Sequence, residues 1–286
     1  MRDTTLVSTG PRRRRGHSRL GMAVIYGILL FFTVIALMPF IWTLLNSVKT
    51  NNEILGAPFS LPENFLWDNY REAWTTGRLG VYFCNSVVSA VPVVVVSIAI
   101  SSLAGYAFAR VSFWGKGVML FLFLFGLTVP FQAKVIHLYY VLMSLRLLDN
   151  LWGIILPSIG GPFGIFLMRA FFMQLPNELS DSAKIDGCSE LAVFTRVMFP
   201  LAQPAVVSLV VFSFMGIWNE YFLPLIVLTS DARRTLPLGV VHFQSRYYTD
   251  YRLVFAALVL SIIPVVIVYL AFQRQFIRGV AVGSYR

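Results

Sequence analysis

Apolar residues in this chain gather into long runs separated by short polar stretches. Six runs stand out: Leu20–Leu45, Tyr82–Ala109, Gly117–Gln132, Leu151–Phe172, Pro204–Leu228 and Leu253–Phe272. Each is apolar all round, without a polar face. That pattern suits a helix in hydrocarbon or in a bundle core rather than an amphipathic surface helix. About 20 such residues, rising about 1.5 Å each, cross about 30 Å of hydrocarbon. The pattern therefore predicts an all-α chain with six membrane-spanning helices. The third run is short and is expected to end at Pro130. The stretch that follows, Lys134 to Leu148, is more amphipathic and predicts a helix lying along the membrane surface. Pro39, Pro92, Pro157, Gly160, Gly161, Pro162, Pro224 and Pro264 fall within the runs. Two readings stand for them: ordinary kinks, or kinks that line a path through the bundle. There is no internal repeat of the kind many secondary transporters carry.

Composition sharpens the picture. Of the 286 residues, 57% are hydrophobic and 13% charged. Soluble domains are about 45–50% apolar and about 25% charged, so a soluble fold is excluded. The net charge is +10. Arg12, Arg13, Arg14, Arg15 and Arg19 form a basic block immediately before the first run. Beside a hydrophobic segment such a block reads as a cytoplasmic anchor rather than a nucleic-acid patch. The run after it is too long for a signal peptide, and no small-residue cleavage site follows; it is read as a retained span. With the N-terminus inside, six spans bring the C-terminus inside as well. Arg110, Lys116, Arg169, Lys184 and Arg196 then join the inner side, and Arg110, Lys116 and Arg169 are expected to anchor helix ends there. Cys84 and Cys188 are expected on opposite sides, which argues against a disulfide. His17, His137 and His242 are far apart, and no metal-ligand spacing occurs.

The segment from 177 to 200 interrupts the apolar pattern near two-thirds of the length. Asn177 is placed to cap a short helix, with Glu178 and Asp181 near its positive end. Gly187 is a natural residue to follow that helix. Ser189 is placed to cap a second helix, with an apolar stripe of Leu191, Phe194, Val197 and Met198. Pro200 and Pro204 mark the return to the membrane. Two readings stand: a loop packed on its own bundle, or a docking surface for a soluble partner.

The spacing Asp181-Ser182-Ala183, three residues, Gly187, nine residues, Val197-Met198-Phe199-Pro200 resembles the EAA loop of membrane subunits in bacterial ABC importers. That pattern reads E-A-A, three residues, G, nine residues, I-x-L-P. Asp181, Ser182, Val197 and Phe199 depart from it while keeping charge sign or, for the last two, apolarity. Asn85-Ser86, Leu103 to Arg110, Thr128-Val129-Pro130 with Gln132, Leu138-Tyr139 before Leu142-Met143, Leu151 to Pro157, Trp218 to Pro224 and Phe276 to Gly279 resemble the carbohydrate branch, maltose type. The resemblance implies a type I importer permease with a basic tail (1–19), a six-helix domain (20–272) and a C-terminal tail (273–286), both termini cytoplasmic, in a bacterial cytoplasmic membrane. It implies that the 177–200 loop is a coupling helix, with Asp181, Ser182, Ala183, Asp186, Gly187 and Pro200 as the coupling residues. It further implies a second permease subunit, two ATPase subunits that bind ATP and Mg2+, and an extracytoplasmic sugar-binding protein. The 273–286 tail is expected either to reach the ATPase dimer or to be disordered. No G-x-x-x-x-G-K-[ST] occurs in the chain, so it is expected to carry no ATPase site, no catalytic residues and no cofactor or metal of its own.

One carboxylate, Glu220, lies within an apolar run, where an ionisable group is costly and a functional candidate. A continuous helix from Pro204 would place it about 24 Å along. Glu220 either fixes the bundle through a polar partner or lines a sugar path. Asn219 beside it points to a different face. Trp218 and Tyr221 form either part of an aromatic wall for sugar rings or packing contacts. The alternative class is an ion- or proton-coupled secondary transporter, for which more intramembrane charge is expected. An intramembrane enzyme would need a constellation such as HExxH or GxSxG, and neither occurs.

Overall fold

The computed structural model describes residues 19–243 and 249–283. The basic block Arg12–Arg15 lies outside them. The first run forms α1 (Arg19–Asn46), exposed to its surroundings over nearly its whole length. Two short helices, α2 (Asn51–Gly56) and α3 (Asp68–Trp74), follow. Thr50 and Glu53 close a reciprocal capping box at the start of α2, which satisfies two orphan N–H groups. Arg252 Nη2 reaches Glu72 Oε1 at 3.0 Å and ties α3 to the last helix.

The central element is α4 (Leu79–Arg110), 32 residues long. It packs along α8 (Pro162–Gln174) and α12 (Gln203–Trp218). Close approach to α8 depends on Gly105. A Cβ there would stand 2.6 Å from Met168 Cβ and 2.9 Å from the Arg169 nitrogen. Small residues let membrane helices approach where hydrophobic burial supplies no net force between them.

The third run does not form one straight span. α5 (Lys116–Thr128) and α6 (Phe131–Ser144) are bent by 103° at Pro130. Pro130 has no N–H to donate and pushes the residue before it toward extended backbone. Gln132, expected in the span, therefore belongs to the second limb, and the surface helix begins at Phe131 rather than Lys134. Among the described residues five helical stretches are long and apolar enough to cross a membrane, or six if the bent pair counts as one.

The fourth and fifth runs are broken too. α7 (Trp152–Ser158) stops at Ile159-Gly160-Gly161, where Gly160 has φ +69°, before α8 begins at Pro162. α12 ends at Trp218, and α13 (Phe222–Val227) follows after three residues. Between α8 and α12 lie α9 (Glu178–Ile185), α10 (Glu190–Val193), a π turn over Phe194–Met198 and α11 (Phe199–Leu201). α14 (Leu236–Val240) precedes the last helix, α15 (Tyr251–Gly283). That helix runs past Phe272 without a break, so residues 273–283 continue the last helix. The remainder of the expected tail lies outside the described residues.

Loops pack at both ends of α4. At its N-terminal end, Asp231 accepts from Arg78 Nη1 (2.7 Å) and the Tyr82 hydroxyl (2.8 Å). Asn85 Nδ2 donates to the carbonyls of Ala232 and Arg234, both at 2.9 Å, and Ser86 Oγ accepts from the Leu236 N–H at 2.8 Å. The Asn85-Ser86 pair is thus a clamp on the 231–236 loop. The 177–200 segment sits at the opposite end.

Candidate functional site

The 177–200 segment is two short helices joined at a fixed angle. The joint follows from Gly187, whose φ of +84° is the left-handed region that glycine enters without steric cost. The Gly187 N–H donates to the Lys184 carbonyl and the Cys188 N–H to the Ala183 carbonyl, both at 3.0 Å. This is a Schellman closure of α9. Ser189 Oγ accepts from the Ala192 N–H at 3.4 Å and caps α10, as its position predicts. The helix then widens into a π turn just before Pro200, whose ring does not fit a regular helix interior.

Asn177 does not cap α9 with its side chain. Its backbone is already helical, and its Oδ1 instead accepts from Arg110 Nη1. Arg110 also donates to the carbonyls of Phe172 and Leu175. One guanidinium fork thereby satisfies the last carbonyls of α8 and holds the entry to α9. This bears out Arg110 as the anchor of a helix end. Arg169 Nε donates to the Phe108 carbonyl at 3.3 Å, and Lys116 Nζ to the Val111 carbonyl at 2.9 Å.

The inner face of the pair is part of the core. Ala183, Val193, Phe194 and Met198 are buried with Tyr106, Met168 and Phe172. The expected stripe is therefore shifted. Leu191 is 63% exposed, and Val193 takes its place because the π turn rotates the face. Ala183 gives close approach to this chain's own core. The outer face carries Asp181, Ser182, Asp186, Gly187 and Pro200, all exposed, with Ile185 at 86%. Asp181 has no ion pair among the described residues. The reading of a loop packed on its own bundle holds for the inner face, while the outer face is exposed.

A polar bridge fixes the pair to α4. The Tyr106 hydroxyl donates to Glu190 Oε1 at 2.6 Å, and Lys184 Nζ pairs with Glu190 Oε2 at 2.9 Å. The Lys184 ammonium, and then the Tyr106 hydroxyl, hold the Glu190 carboxyl below the usual glutamate range, against a smaller opposing effect of burial. Glu190 is a residue that sequence reasoning missed. Its Lys184 partner, six residues away across Gly187, was the available signal.

The four residues of the expected translocation path do not converge. Trp218 is 2% exposed, donates from Nε1 to the Ser261 carbonyl (3.1 Å) and packs on Phe83 and Phe214. It is a packing residue. Asn219 Nδ2 donates to the Met215 carbonyl at 2.9 Å, and Asn219 lines with Trp218 a second, largely apolar cavity that Glu220 does not line. Tyr221 is exposed. Glu220 does not lie on a continuous helix, because α12 has already ended. It sits in the break, and its Oε1 accepts from the Leu223 N–H at 3.0 Å, satisfying an orphan donor of α13. Glu220 also lines a cavity of about 270 Å³ with Ser97, Ser101, Ser158 and Ser213. Among the described residues no group of His, Cys, Asp and Glu has metal-binding geometry.

Residues 97–282 match the model of a family described as binding-protein-dependent transport system inner membrane component. The diacetylchitobiose uptake system permease protein NgcG of Streptomyces coelicolor is 34% identical over 268 residues, covering 92% of this chain and 89% of that protein. The arabinooligosaccharides transport system permease protein AraQ of Bacillus subtilis is 34% identical over 264 residues, 90% of this chain and 94% of that one. Among solved structures, a chain of a bacterial ABC transporter involved in the import of the acidic polysaccharide alginate superposes with a TM-score of 0.79. It is 26% identical, with 93% of this chain and all of that chain covered.

Proposed function

The chain belongs to the family of binding-protein-dependent transport system inner membrane components, and from that premise we propose how it works. It is a multi-pass permease subunit of an ABC importer for a sugar or oligosaccharide. It pairs with a second permease subunit, two ATPase subunits and an extracytoplasmic sugar-binding protein. It has no ATPase site of its own; ATP and Mg2+ belong to the ATPase subunits. The complex lies in a bacterial cytoplasmic membrane with both termini of this chain inside.

The observation that carries the coupling assignment is the two-faced helix pair. Its buried face is welded to α4 through Tyr106, Glu190 and Arg110, while Asp181, Ile185, Asp186 and Leu191 stand exposed. A partner that grips the exposed face moves α4 and α8 with it, because the joint at Gly187 is closed by hydrogen bonds rather than hinged. ATP binding and hydrolysis in the partner then switch the spans between inward-open and outward-open states.

The test is co-purification of the tagged chain with the products of its neighbouring genes, beside Gly187→Pro. Proline fixes φ near −65°, so the left-handed joint is lost. Wild type is expected to bring down an ATPase whose activity rises with sugar-loaded binding protein. The variant is expected to lose that stimulation at least about 10-fold, a ΔΔG of about 1.4 kcal/mol. An ATPase that never associates would overturn the reading.

A further inference from the structure

We propose that the cavity at the two helix breaks is a binding subsite for one ring of an uncharged sugar, so that this subunit itself touches the cargo. The proposal rests on the carbohydrate-import reading above and adds the site and the charge class.

The cavity lies near the middle of α4, between Ser97 and Ser101 on that helix, Ser158 and Gly161 at the first break, Ser213 on α12 and Glu220 at the second break. Irregular backbone at membrane depth is tolerated where it lines a cavity, and two breaks meet at this one. Its volume of about 270 Å³ suits a small subsite rather than a whole oligosaccharide.

The lining has the chemistry of a polyol site. Ser101 is 1% exposed, and its Oγ has no hydrogen-bond partner among the described residues. A buried hydroxyl left unpaired is costly, and such a group asks for an explanation. A turn of the side chain toward the cavity that it lines lets a ligand hydroxyl supply it. Ser97 Oγ accepts from the Gly160 N–H at 3.0 Å and keeps its own proton to donate. Ser158 Oγ donates to the Ile154 carbonyl at 2.7 Å and keeps a lone pair to accept. Glu220 uses Oε1 on the Leu223 N–H, and its Oε2 has no partner among the described residues. A carboxylate oxygen at this depth calls for donors, and sugar hydroxyls are donors. Phe163 and Phe212, edge to face with centroids 5.3 Å apart, give the cavity an apolar wall for the C–H face of a ring.

The charge class follows from what the lining carries. Among the described residues Glu220 is its one ionisable side chain, and no Lys or Arg lines it. A uronate carboxylate would meet like charge with no cation to offset it. The cargo is therefore uncharged, unlike that of the structural neighbour.

The test uses the full complex in proteoliposomes with its binding protein and four radiolabelled probes: maltose, cellobiose, diacetylchitobiose and the acidic digalacturonate. Uptake of at least one uncharged probe and not of digalacturonate is expected. If no probe is taken up, the carbohydrate-import reading fails. If digalacturonate is taken up, the charge class fails while import stands. On the transported probe, Ser101→Ala and Glu220→Gln are each expected to lower uptake about 3- to 10-fold, the loss of one hydrogen bond. Gln keeps an acceptor for the Leu223 N–H, and Ser101 has no protein bond to lose. The thermal midpoint of the complex is therefore expected to hold for Glu220→Gln and to hold or rise for Ser101→Ala. Wild-type uptake in both variants, as when a side chain of the second permease subunit fills the cavity, would overturn the subsite. So would a fall in midpoint that tracks the fall in uptake.

Discussion

Glu190 shows how one side chain ties a surface loop to a span. Its two oxygens are divided between the Tyr106 hydroxyl and the Lys184 ammonium. Because its pKa in the fold is lowered, the stabilisation is fully present above the ordinary value of 4.5 and is lost as the pH falls below it. Glu190 is about 42% exposed, so solvent screening keeps the ion pair to about 0.2–1 kcal/mol. The buried-side bond from Tyr106 is the stronger member. Tyr106→Phe is expected to cost about 1–2 kcal/mol at pH 7, because the Glu190 oxygen loses a charged hydrogen bond. The difference from wild type should shrink as the pH is taken from 6 to 4. Hydrogen exchange of the 190–198 amides against pH measures it; a cost that does not change over that range would count against the bridge. Gly187 was legible in the sequence because a positive φ demands a residue type. Glu190 was legible only through nearby Lys184, because its other partner, on α4, is 84 positions away.

At the scale of elements, the closest packing is between α4 and α8, and Gly105 permits it. Gly105→Ala would drive a Cβ into Met168 and into the backbone of Arg169, neither of which is the free end of a flexible chain. Overpacking of this kind costs about 1–3 kcal/mol. A clear drop in the midpoint of the purified complex is expected, whereas Leu103→Ala, on the exposed side two residues earlier, should change it little. Equal midpoints would show that α4 and α8 part without cost. The apolar runs placed the spans because a bilayer demands about 20 apolar residues whatever their neighbours are. Pro157, Gly160, Gly161 and Pro162 marked a kink in the fourth run, which the structure makes a break, but hydropathy was blind to the break at Asn219–Tyr221. A broken helix and a straight one have the same hydropathy, and only the final partners of the freed backbone groups tell them apart. For that reason Trp218 to Tyr221 read as part of one continuous helix from Pro204. The end of α12 sends Trp218 into the core and Glu220 into the cavity. The Asn177 cap failed for a related reason: Arg110, 67 positions away, competes for the same oxygen.

At the scale of the whole molecule, α4 sets which surface meets which compartment. The 231–236 loop is clamped by Arg78, Tyr82, Asn85 and Ser86 at one end, and the 177–200 pair by Tyr106 and Arg110 at the other. From Tyr82 to Arg110 the helix rises about 42 Å, more than the hydrocarbon thickness. The two loops therefore face opposite sides of the membrane whatever the bias of basic residues. The basic bias predicts which side is which, and with it whether an ATPase can reach Asp181. One native cysteine reports on the same question: Cys188 lies between α9 and α10, whereas Cys84, exposed near the start of α4, is replaced. In a Cys84→Ser background with Ala232→Cys added, a membrane-impermeant maleimide on intact cells should label position 232 at once. Cys188 should be labelled only after the cells are opened. Labelling of Cys188 from outside would invert the topology and remove the 177–200 loop from any cytoplasmic partner. Labelling of neither site in intact cells, with both labelled after opening, would contradict the clamp geometry at the two ends of α4. The predicted pattern leaves the exposed face of the helix pair with its two acidic positions, Asp181 and Asp186, where a cytoplasmic subunit can engage it. The serine-lined cavity then lies between that face and the clamped loop, on the line a cargo must follow.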